Sequence, residues 1–485
     1  MKSADESSRG GWGLGRLDIG SFMRRIASVL EFRGKDSAAD TSPGTGTALE
    51  EIRAKCLEAV EKYGKLAGLV AVAEVADAYA KLAEDQRGGF FKMLHEDFSV
   101  DPQALDGAIA AYRAARDSGN DDAGAGPAEA HIAKALVGLS RTLESPRHDL
   151  FRQFNTIPSG IKFLVDLRAD LYPFLKRDAS LAPLEYELRR LLEAFFNLGF
   201  PRLVRIGWDS PAVLLENLIR YEAVHRISNW AELKHRLVSD RACFAFIHPF
   251  MPTEPVIFVE VALTRGIADN IQRLLDPEAP DLSPDQADTA IFYAISNAQA
   301  GLRGIPFGNL LIEQVATRLK REVPNLVTFA TLSPLPHFRK DFLDPAVADG
   351  SIAGFFTQEE SEALCAMAGM DTVSWAVGQL LASPGWESDG EKSGAMRAGL
   401  LRAARHYLAD ARKNGRAICP VAHFHGSNGA LLARINWLAD TSQTGIAQSA
   451  GVMVNYRYDM EHFERHQSRY LQDGDLFMAK EVQAL

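Results

Sequence analysis

Two places in the sequence combine residue types that can move a proton or hold a reacting group. Ser333 directly follows the apolar residues 326–332 and begins the run Ser-Pro-Leu-Pro, and His423 and His425 flank one phenylalanine beside a glycine. Histidine donates or accepts a proton near neutral pH, and a serine hydroxyl can orient a reacting bond. We therefore consider Ser333 and the two histidines as candidates for catalysis, with a purely structural Ser-Pro turn as the alternative for Ser333.

The two histidines lie two residues apart, and this spacing does not distinguish between them. In an extended segment both would lie on one face, because side chains alternate with period two. A metal site would need a third ligand, and the neighbouring residues do not suggest one. We therefore expect one structural histidine beside one functional histidine. The residues that follow, 430–439, have a helix-like pattern.

A glycine-bearing loop is a candidate site for binding a phosphate. Apolar residues 290–296 predict a buried strand, and residues 310–322 predict an amphipathic helix. The glycines between them would let the backbone approach an anion, and the N–H groups of the helix start would point at it. Arg303 could add a direct charge contact. The spacing matches neither a nucleotide P-loop nor a dinucleotide fingerprint, so an ordinary strand-to-helix turn is the alternative.

The bulk composition is that of a globular protein with more than one domain. The chain has 485 residues, of which 47% are hydrophobic and 24% are charged. A net charge of -10 argues against a nucleic-acid-binding protein but allows a local basic patch for a phosphorylated ligand. The four cysteines form no C-x-x-C pair, which argues against a zinc site or a disulfide framework. No apolar run is long enough to span a bilayer, and we find no secretory pattern at the N-terminus.

The character of the predicted elements changes near residue 200. Residues 1–47 are rich in serine and glycine and are predicted to be mobile. Residues 48–200 show only helical patterns, which predict one helical domain. Residues 201–485 mix strands and helices around one sheet, including a predicted hairpin of strands 243–248 and 256–263. The chain is therefore predicted to have an α+β fold.

Seven short motifs follow one another in the second half of the chain, at residues 252–264, 291–296, 301–304, 332–336, 423–430, 434–437 and 454–458. Together they closely resemble the malonyl-CoA decarboxylase family. The resemblance extends over residues from about 48 to 460 and is strongest after about residue 205.

This resemblance implies a helical domain used in oligomerisation, followed by a catalytic domain of the GNAT-like acyltransferase fold. It implies conversion of malonyl-CoA to acetyl-CoA and carbon dioxide, a step of fatty acid metabolism, without a metal or an organic cofactor. The family's catalytic pair falls on Ser333 and His425. Its CoA-binding loop falls on seven consecutive residues, Arg303, Gly304, Ile305, Pro306, Phe307, Gly308 and Asn309.

We therefore predict a carboxy-lyase that binds malonyl-CoA and acetyl-CoA, with no nucleic-acid or membrane partner. Residues 48–200 are predicted to form a dimer or a tetramer of this chain, and residues 201–485 to carry out catalysis. The last residues are not a peroxisomal signal, so a bacterial-type cytoplasmic location is expected. Two alternatives stay open: a CoA-dependent acyltransferase on the same fold, and a non-catalytic acyl-CoA sensor.

Overall fold

The described part of the chain forms two compact units. The computed structural model describes residues 45–118, 125–197, 199, 201–238, 240–305, 309–459 and 461–485. The first unit contains the described residues up to Phe195 together with Ala300–Ile305. The second contains the described residues of Phe196–Gln299 and those from position 309 onwards. The segment 1–47, predicted to be mobile, lies outside the described residues except for positions 45–47.

The first unit is helical, as the sequence predicted. Its helices are α1 (Thr45–Glu61), α2 (Leu66–Ala80), α3 (Glu84–Asp97), α4 (Pro102–Ser118), α5 (Ala125–Thr142), α6 (Pro146–Phe154), α7 (Gly160–Leu175) and α8 (Ala182–Phe195). Alanine and leucine dominate several of these segments and favour helix. Phenylalanine side chains from α3 and α6 are fully buried between the helices. Each such side chain contributes about 1.5–3 kcal/mol by its burial.

Helices α4 and α5 form a hairpin whose side chains are not buried. The two helices contact each other, and none of the described side chains of 102–117 and 129–142 is buried. Leu136, Val137 and Leu143 are 49%, 51% and 54% exposed. An apolar helix surface normally packs against another element. Within the described residues, this hairpin therefore presents apolar side chains to solvent.

The second unit is built on one mixed sheet, and the predicted α+β class is confirmed. The strand order is β1-β2-β3-β4-β5-β10-β6, and β9 pairs with β10. These strands are β1 (Arg202–Ile206), β2 (Arg241–His248), β3 (Met251–Thr264), β4 (Thr289–Asn297), β5 (Thr328–Thr331), β6 (Ser333–Pro334), β9 (Leu431–Asn436) and β10 (Met453–Arg457). A separate small ribbon pairs β7 (Arg412–Lys413) with β8 (Arg416–Ala417).

Helices surround this sheet. They are α9 (Ala212–Tyr221), α10 (Trp230–His235), α11 (Ile271–Leu275), α12 (Asn309–Glu322), α13 (Asp344–Asp349), α14 (Gln358–Ala368), α15 (Val373–Ala382), α16 (Gly390–Ala409), α17 (Pro420–Ser427), α18 (Gln443–Ser449), α19 (Phe463–Asp473) and α20 (Lys480–Gln483). The predicted amphipathic helix after β4 is α12, which buries Leu311, Ile312, Val315 and Leu319. Among the described helices, none combines the length and the apolar character needed to cross a membrane.

The central strands agree with the sequence pattern. Strands β2 and β3 pair in antiparallel fashion, which confirms the predicted hairpin. Their residues are almost continuously buried. A strand covered on both faces reads as an unbroken apolar run rather than an alternating one, and this is the pattern that the sequence shows.

Strands β4 and β5 separate after a short parallel ladder. The ladder pairs residues 289–292 with Thr328–Thr331, and the N–H of Leu332 donates to the carbonyl of Phe292. Beyond this point β4 continues along β3 as far as Asn297, whereas Ser333 begins β6 and pairs with β10. The sheet therefore opens between β4 and the chain that leaves β5.

Two local expectations near the histidines need correction. Residues 430–439 were predicted to be helical, but they contain β9, which pairs with β10. Pairing with a neighbouring strand overrides the local propensity of this alanine- and leucine-containing stretch. The preceding segment is the helix α17 and not an extended chain. A proline in the first turn favours this helix start, because its missing N–H would be unpaired there anyway.

Candidate active site

A cavity of about 1190 Å³ lies in the second unit, where the sheet opens. One wall comes from the end of β4, and another comes from the chain after β5 and from α17. Phe292 and Tyr293, Ser333 and Pro334, and Phe424 and His425 are among its lining residues. Two of the sequence candidates, Ser333 and His425, therefore line one cavity.

Ser333 is fixed by its strand. It pairs with Val454 of β10 directly after the separation of β4 and β5. Its hydroxyl donates a hydrogen bond to Oγ1 of Thr331 at 2.8 Å, and its Oγ lies 3.1 Å from Nε2 of His425. The side chain is 7% exposed. Ser333 is thus buried in the cavity wall with both polar neighbours within hydrogen-bonding distance.

His425 comes from α17, 92 positions after Ser333. Its ring stacks on Tyr456 with the centroids 4.3 Å apart and the planes at 21°. Its Nδ1 lies 2.8 Å from the hydroxyl of Tyr458. Tyr456 belongs to β10 and Tyr458 follows it. The strand that aligns Ser333 therefore also aligns the imidazole.

Burial determines the charge of this histidine. The ring is 3% exposed, and its removal from water lowers the pKa of His425 to about 3. The imidazole is therefore neutral at neutral pH. The same burial raises the pKa of Tyr458 well above its ordinary value, so its phenol stays protonated.

His423 has different surroundings from His425. It is half-buried, it is not among the lining residues of the cavity, and its Nδ1 lies 2.9 Å from the hydroxyl of Tyr470. Burial, with a smaller effect from the charge of Arg416, lowers its pKa. Residues two apart on a helix point about 200° apart around its axis, so only one of the two can face the cavity. In the described residues, no group of three or more His, Cys, Asp or Glu side chains is placed to hold a metal ion.

The predicted CoA loop is divided between the two units. Arg303, Gly304 and Ile305 belong to the first unit, and Asn309 begins α12 in the second. The remaining predicted loop residues, Pro306, Phe307 and Gly308, lie outside the described residues. None of the described loop residues lines the cavity.

A buried arginine fixes the start of this loop. Nη1 of Arg168 donates to the carbonyls of Gly301 and Arg303 at 2.6 and 3.0 Å, and its Nη2 pairs with Glu185 at 2.7 Å. The backbone of Gly304 has φ +78°, a conformation that glycine adopts without strain. The buried side chain of Arg168 and the positive φ of Gly304 therefore both contribute to the backbone conformation of the loop.

A polar network that the sequence pattern did not predict lies at the opposite wall of the cavity. Nη1 of Arg236 pairs with Glu260 of β3 at 2.5 Å, and its Nη2 donates to the carbonyl of His225 at 2.7 Å. Ser296 of β4 donates to Glu222 at 2.8 Å. Burial, together with the charge of Glu222 and against that of Arg236, raises the pKa of Glu260 to about 7. The available signal was a charged residue inside an otherwise apolar strand.

Comparison with known proteins identifies the family. Residues 199–485 match the malonyl-CoA decarboxylase C-terminal domain, and residues 98–196 match the malonyl-CoA decarboxylase N-terminal domain. The chain belongs to the malonyl-CoA decarboxylase family. It is 33% identical over 467 residues to the mitochondrial malonyl-CoA decarboxylase of Anser anser anser, which covers 93% of this chain and 91% of that protein.

Solved structures of the malonyl-CoA decarboxylase family have the same overall architecture. The protein from Rhodopseudomonas palustris is 36% identical, with a TM-score of 0.78 over 90% of this chain and 99% of that chain. The protein from Agrobacterium vitis is also 36% identical, with a TM-score of 0.77 over the same shares. The family suggested by the sequence motifs is therefore confirmed.

Proposed function

We infer that this protein converts malonyl-CoA to acetyl-CoA and carbon dioxide, with Ser333 and His425 acting together at the reacting group. The observation that carries this proposal is the 3.1 Å contact between Ser333 Oγ and His425 Nε2 in a cavity of a malonyl-CoA decarboxylase family member. A serine and a histidine alone would also suit acyl transfer. Family membership favours decarboxylation.

The reaction needs a group that holds the malonyl unit and a group that delivers a proton. The bond between the α-carbon and the carboxylate carbon breaks, carbon dioxide leaves, and the electron pair enters the thioester as an enolate. Ser333 hydrogen-bonds the malonyl group and so orients the bond that breaks. His425 then gives a proton to the α-carbon, which forms the new C–H bond of acetyl-CoA. The thioester itself accepts the electrons, so no added electron sink is needed.

The neutral state of His425 fits this proton balance. The reaction consumes one proton, and a malonyl carboxylate beside a buried imidazole raises its pKa, since opposite charge favours the imidazolium. Substrate binding would then bring the proton onto His425. A non-reactive malonyl-CoA analogue should cause uptake of about one proton in weakly buffered solution. Binding without proton uptake would contradict this step.

One assay separates the three candidate functions. The purified protein is incubated with malonyl-CoA alone, and acetyl-CoA and carbon dioxide are measured. Their formation in equal amounts supports decarboxylation. A strict requirement for an added acyl acceptor would instead indicate an acyltransferase, and binding without turnover would indicate a sensor.

We propose that the second unit is GNAT-like and that CoA binds at the opening between β4 and β5, with its pyrophosphate at the loop Arg303–Asn309 that the family resemblance implies. The early end of the β4–β5 ladder supports this placement, since it leaves the later part of β4 without a parallel neighbour among the described residues. Gly304→Val should weaken CoA binding, because a β-branched residue is strained at φ +78° and its side chain would keep the pyrophosphate away from the backbone.

Gly266→Val is a matched control for that experiment. Gly266 has φ +70°, and the space around both glycines is open within 4 Å of an added Cβ. Both variants are therefore strained to a similar degree. Isothermal titration should show a loss of CoA affinity only for Gly304→Val, and equal affinities of the two variants would contradict the loop assignment.

We propose that the chain forms a homo-oligomer, a dimer or a tetramer, through the helical unit. The hairpin of α4 and α5 supports this, because its apolar side chains are exposed. Replacing Leu136 and Val137 by glutamate should reduce the particle mass measured by light scattering. Lys134→Glu, at an exposed position of the same helix, is the control and should leave the mass unchanged. An unchanged mass in the double variant would contradict this interface.

A bacterial-type cytoplasmic location is also proposed. The similar solved structures come from bacteria and are 36% identical to this chain, whereas the Anser anser anser and Rattus norvegicus relatives are named mitochondrial and are 33% identical. Cell fractionation with an antibody against the protein tests this, and recovery in a membrane fraction would contradict it.

A further inference from the structure

The contact between Ser333 and His425 is the centre of a longer hydrogen-bond chain. The hydroxyl of Tyr458 lies 2.8 Å from Nδ1 of His425, whose Nε2 lies 3.1 Å from Oγ of Ser333. The Ser333 hydroxyl donates to Oγ1 of Thr331 at 2.8 Å. All four side chains are at most 7% exposed.

The contacts of Thr331 indicate which group donates in each hydrogen bond of this series. Thr331 Oγ1 also accepts the backbone N–H of Tyr456 at 3.1 Å, so it serves as an acceptor for two donors. A serine hydroxyl has one proton. With the Ser333 proton directed to Thr331, the Ser333 oxygen can accept from His425, and this arrangement has the ring proton on Nε2. Nδ1 is then unprotonated and accepts the phenol proton of Tyr458.

We propose that Thr331 and Tyr458 are positioning residues that fix this proton order, in which Tyr458 donates to His425, His425 donates to Ser333, and Ser333 donates to Thr331. The inference rests on the proposed decarboxylation and adds how its two catalytic groups are prepared. Substrate can redirect the Ser333 proton from Thr331 to itself without breaking the contact between Ser333 and His425.

The same order distinguishes this site from a nucleophilic serine. A serine nucleophile gives its proton to the histidine, and a carboxylate behind the ring stabilises the imidazolium. Here a phenol stands behind the ring and Ser333 is an acceptor toward it. A phenol can donate to a neutral ring and accept from a charged one. Tyr458 therefore holds His425 in place both before and after the ring is protonated.

Two tyrosines on the same ring provide a matched test. Tyr458→Phe removes the hydrogen bond to Nδ1, whereas Tyr456→Phe keeps the stacked ring and removes a hydroxyl that has no hydrogen-bond partner among the described residues. We expect kcat for malonyl-CoA to fall about 10- to 100-fold in Tyr458→Phe with KM little changed, because the ring is misplaced. Tyr456→Phe should lose much less kcat than Tyr458→Phe, because the ring that stacks on His425 is retained. Equal losses in the two variants would overturn the role of Tyr458.

Two conservative substitutions of Thr331 test the other end of the hydrogen-bond chain. Thr331→Ser keeps the acceptor, whereas Thr331→Val keeps the shape and removes it. We expect Thr331→Ser to retain kcat and Thr331→Val to lose about 10-fold or more. Thr331→Val also leaves the Tyr456 N–H unpaired, so circular dichroism must first show that it is folded. If folded Thr331→Val and Thr331→Ser have the same kcat, Thr331 does not position Ser333.

A spectroscopic readout separates this inference from the proposed function. Long-range proton–nitrogen NMR spectra of wild type and His425→Asn isolate the ring signals of His425 by difference. The proton should be on Nε2 in wild type and in Tyr456→Phe, and this order should be lost in Tyr458→Phe. A proton on Nδ1 in wild type would overturn the inference even if malonyl-CoA is decarboxylated. A proton on Nε2 without decarboxylation would support the proton order and contradict the proposed function.

Discussion

The pair Ser333 and His425 and the loop that begins at Arg303 are held by different kinds of contact. Both side chains of the pair are buried, and their hydrogen bonds join uncharged groups. His425 also contacts the hydroxyl of Tyr458, which directly follows β10. Arg303 and Gly304 are exposed. The buried guanidinium of Arg168, which pairs with Glu185, donates a hydrogen bond to the carbonyl of Arg303. Changes in the pair should therefore affect the reaction step, whereas changes around the loop should affect CoA affinity first.

The largest effect is expected for His425, the proposed proton donor. His425→Asn keeps a similar shape but cannot donate as an acid, so kcat should fall about 10²–10⁴-fold while malonyl-CoA still binds. His423→Asn should be milder, because that ring contacts Tyr470 outside the cavity lining. Steady-state kinetics and binding titration of both variants check this. An active His425→Asn with an inactive His423→Asn would reassign the acid to His423.

The second-largest effect is expected for substitution of Ser333. Ser333→Ala removes one oriented hydroxyl and little volume, so the fold should be retained. Loss of one hydrogen bond to the reacting group predicts a fall of about 10²-fold in kcat. Turnover close to that of wild type in a folded Ser333→Ala protein would return Ser333 to a structural role.

Two buried arginines of the helical unit allow a matched test of the loop. Arg168 and Arg147 are each 3% exposed and pair with Glu185 and Glu187, but Arg168 also binds two carbonyls of the loop start. Replacing either by methionine should destabilise the fold by about 1–3 kcal/mol, because the hydrogen bonds of a buried arginine are lost and a partly exposed glutamate loses its counter-charge. CoA affinity should fall about 10-fold in Arg168→Met and remain nearly unchanged in Arg147→Met.

Thermal unfolding of the two arginine variants measures their stability, and isothermal titration measures their affinity for CoA. The prediction concerns the difference in affinity at similar stability. If both variants lose CoA affinity equally, the loss reflects general loosening of the helical unit, and the specific link between Arg168 and the loop is refuted.

The smallest effect is expected in the pH dependence of stability. Burial lowers the pKa of His425 to about 3, and burial with the charge of Arg236 lowers that of His225 to about 4. Below about pH 6.5 the unfolded state therefore binds more protons than the folded state. The free energy of unfolding should fall as the pH drops from 6.5 towards 4, by up to about 1.4 kcal/mol per pH unit for each histidine, and be unaffected by them above 6.5.

Chemical denaturation at several pH values checks this slope. His425→Asn removes one of the two groups, so its stability should depend less steeply on pH than that of wild type. The quantity compared is the change in the free energy of unfolding per pH unit. This slope can be compared even if the substitution also changes the overall stability. Identical slopes would show that His425 is not a source of the pH dependence.

The two regions also differ in how well the sequence predicts them. The strand, the glycines and the helix around the loop are local features that the residue pattern shows, and Gly304 has φ +78°, a conformation that favours glycine. The α+β class, the hairpin of β2 and β3, and the buried face of α12 were predictable for the same reason. The side-chain pair is not local, because Ser333 and His425 are 92 positions apart. Spacing alone did not pair them, and the proposed roles came from the family resemblance.

Three features could not be read from the pattern. The choice between His423 and His425 depends on α17 being a helix, which turns the two rings to different sides. Strand β9 forms because β10 is available to pair with it. The charged cluster around Arg236 and Glu260 joins residues 24 positions apart. Each depends on which elements meet in space, and a single sequence does not encode that in its local periodicity.

The short ladder between β4 and β5 divides the sheet into two cooperative halves. Strands β1 to β4 form one continuous hydrogen-bonded block, and β5, β6, β9 and β10 form the other, joined by the pairing of residues 289–292 with Thr328–Thr331. Local opening follows the boundaries of such blocks and requires less free energy than global unfolding. Amide hydrogen exchange along this seam should therefore be faster than within either block, and a ligand that bridges both halves should slow it. We therefore expect the two halves of the sheet in the second unit to separate slightly along the seam while each half keeps its own hydrogen bonds.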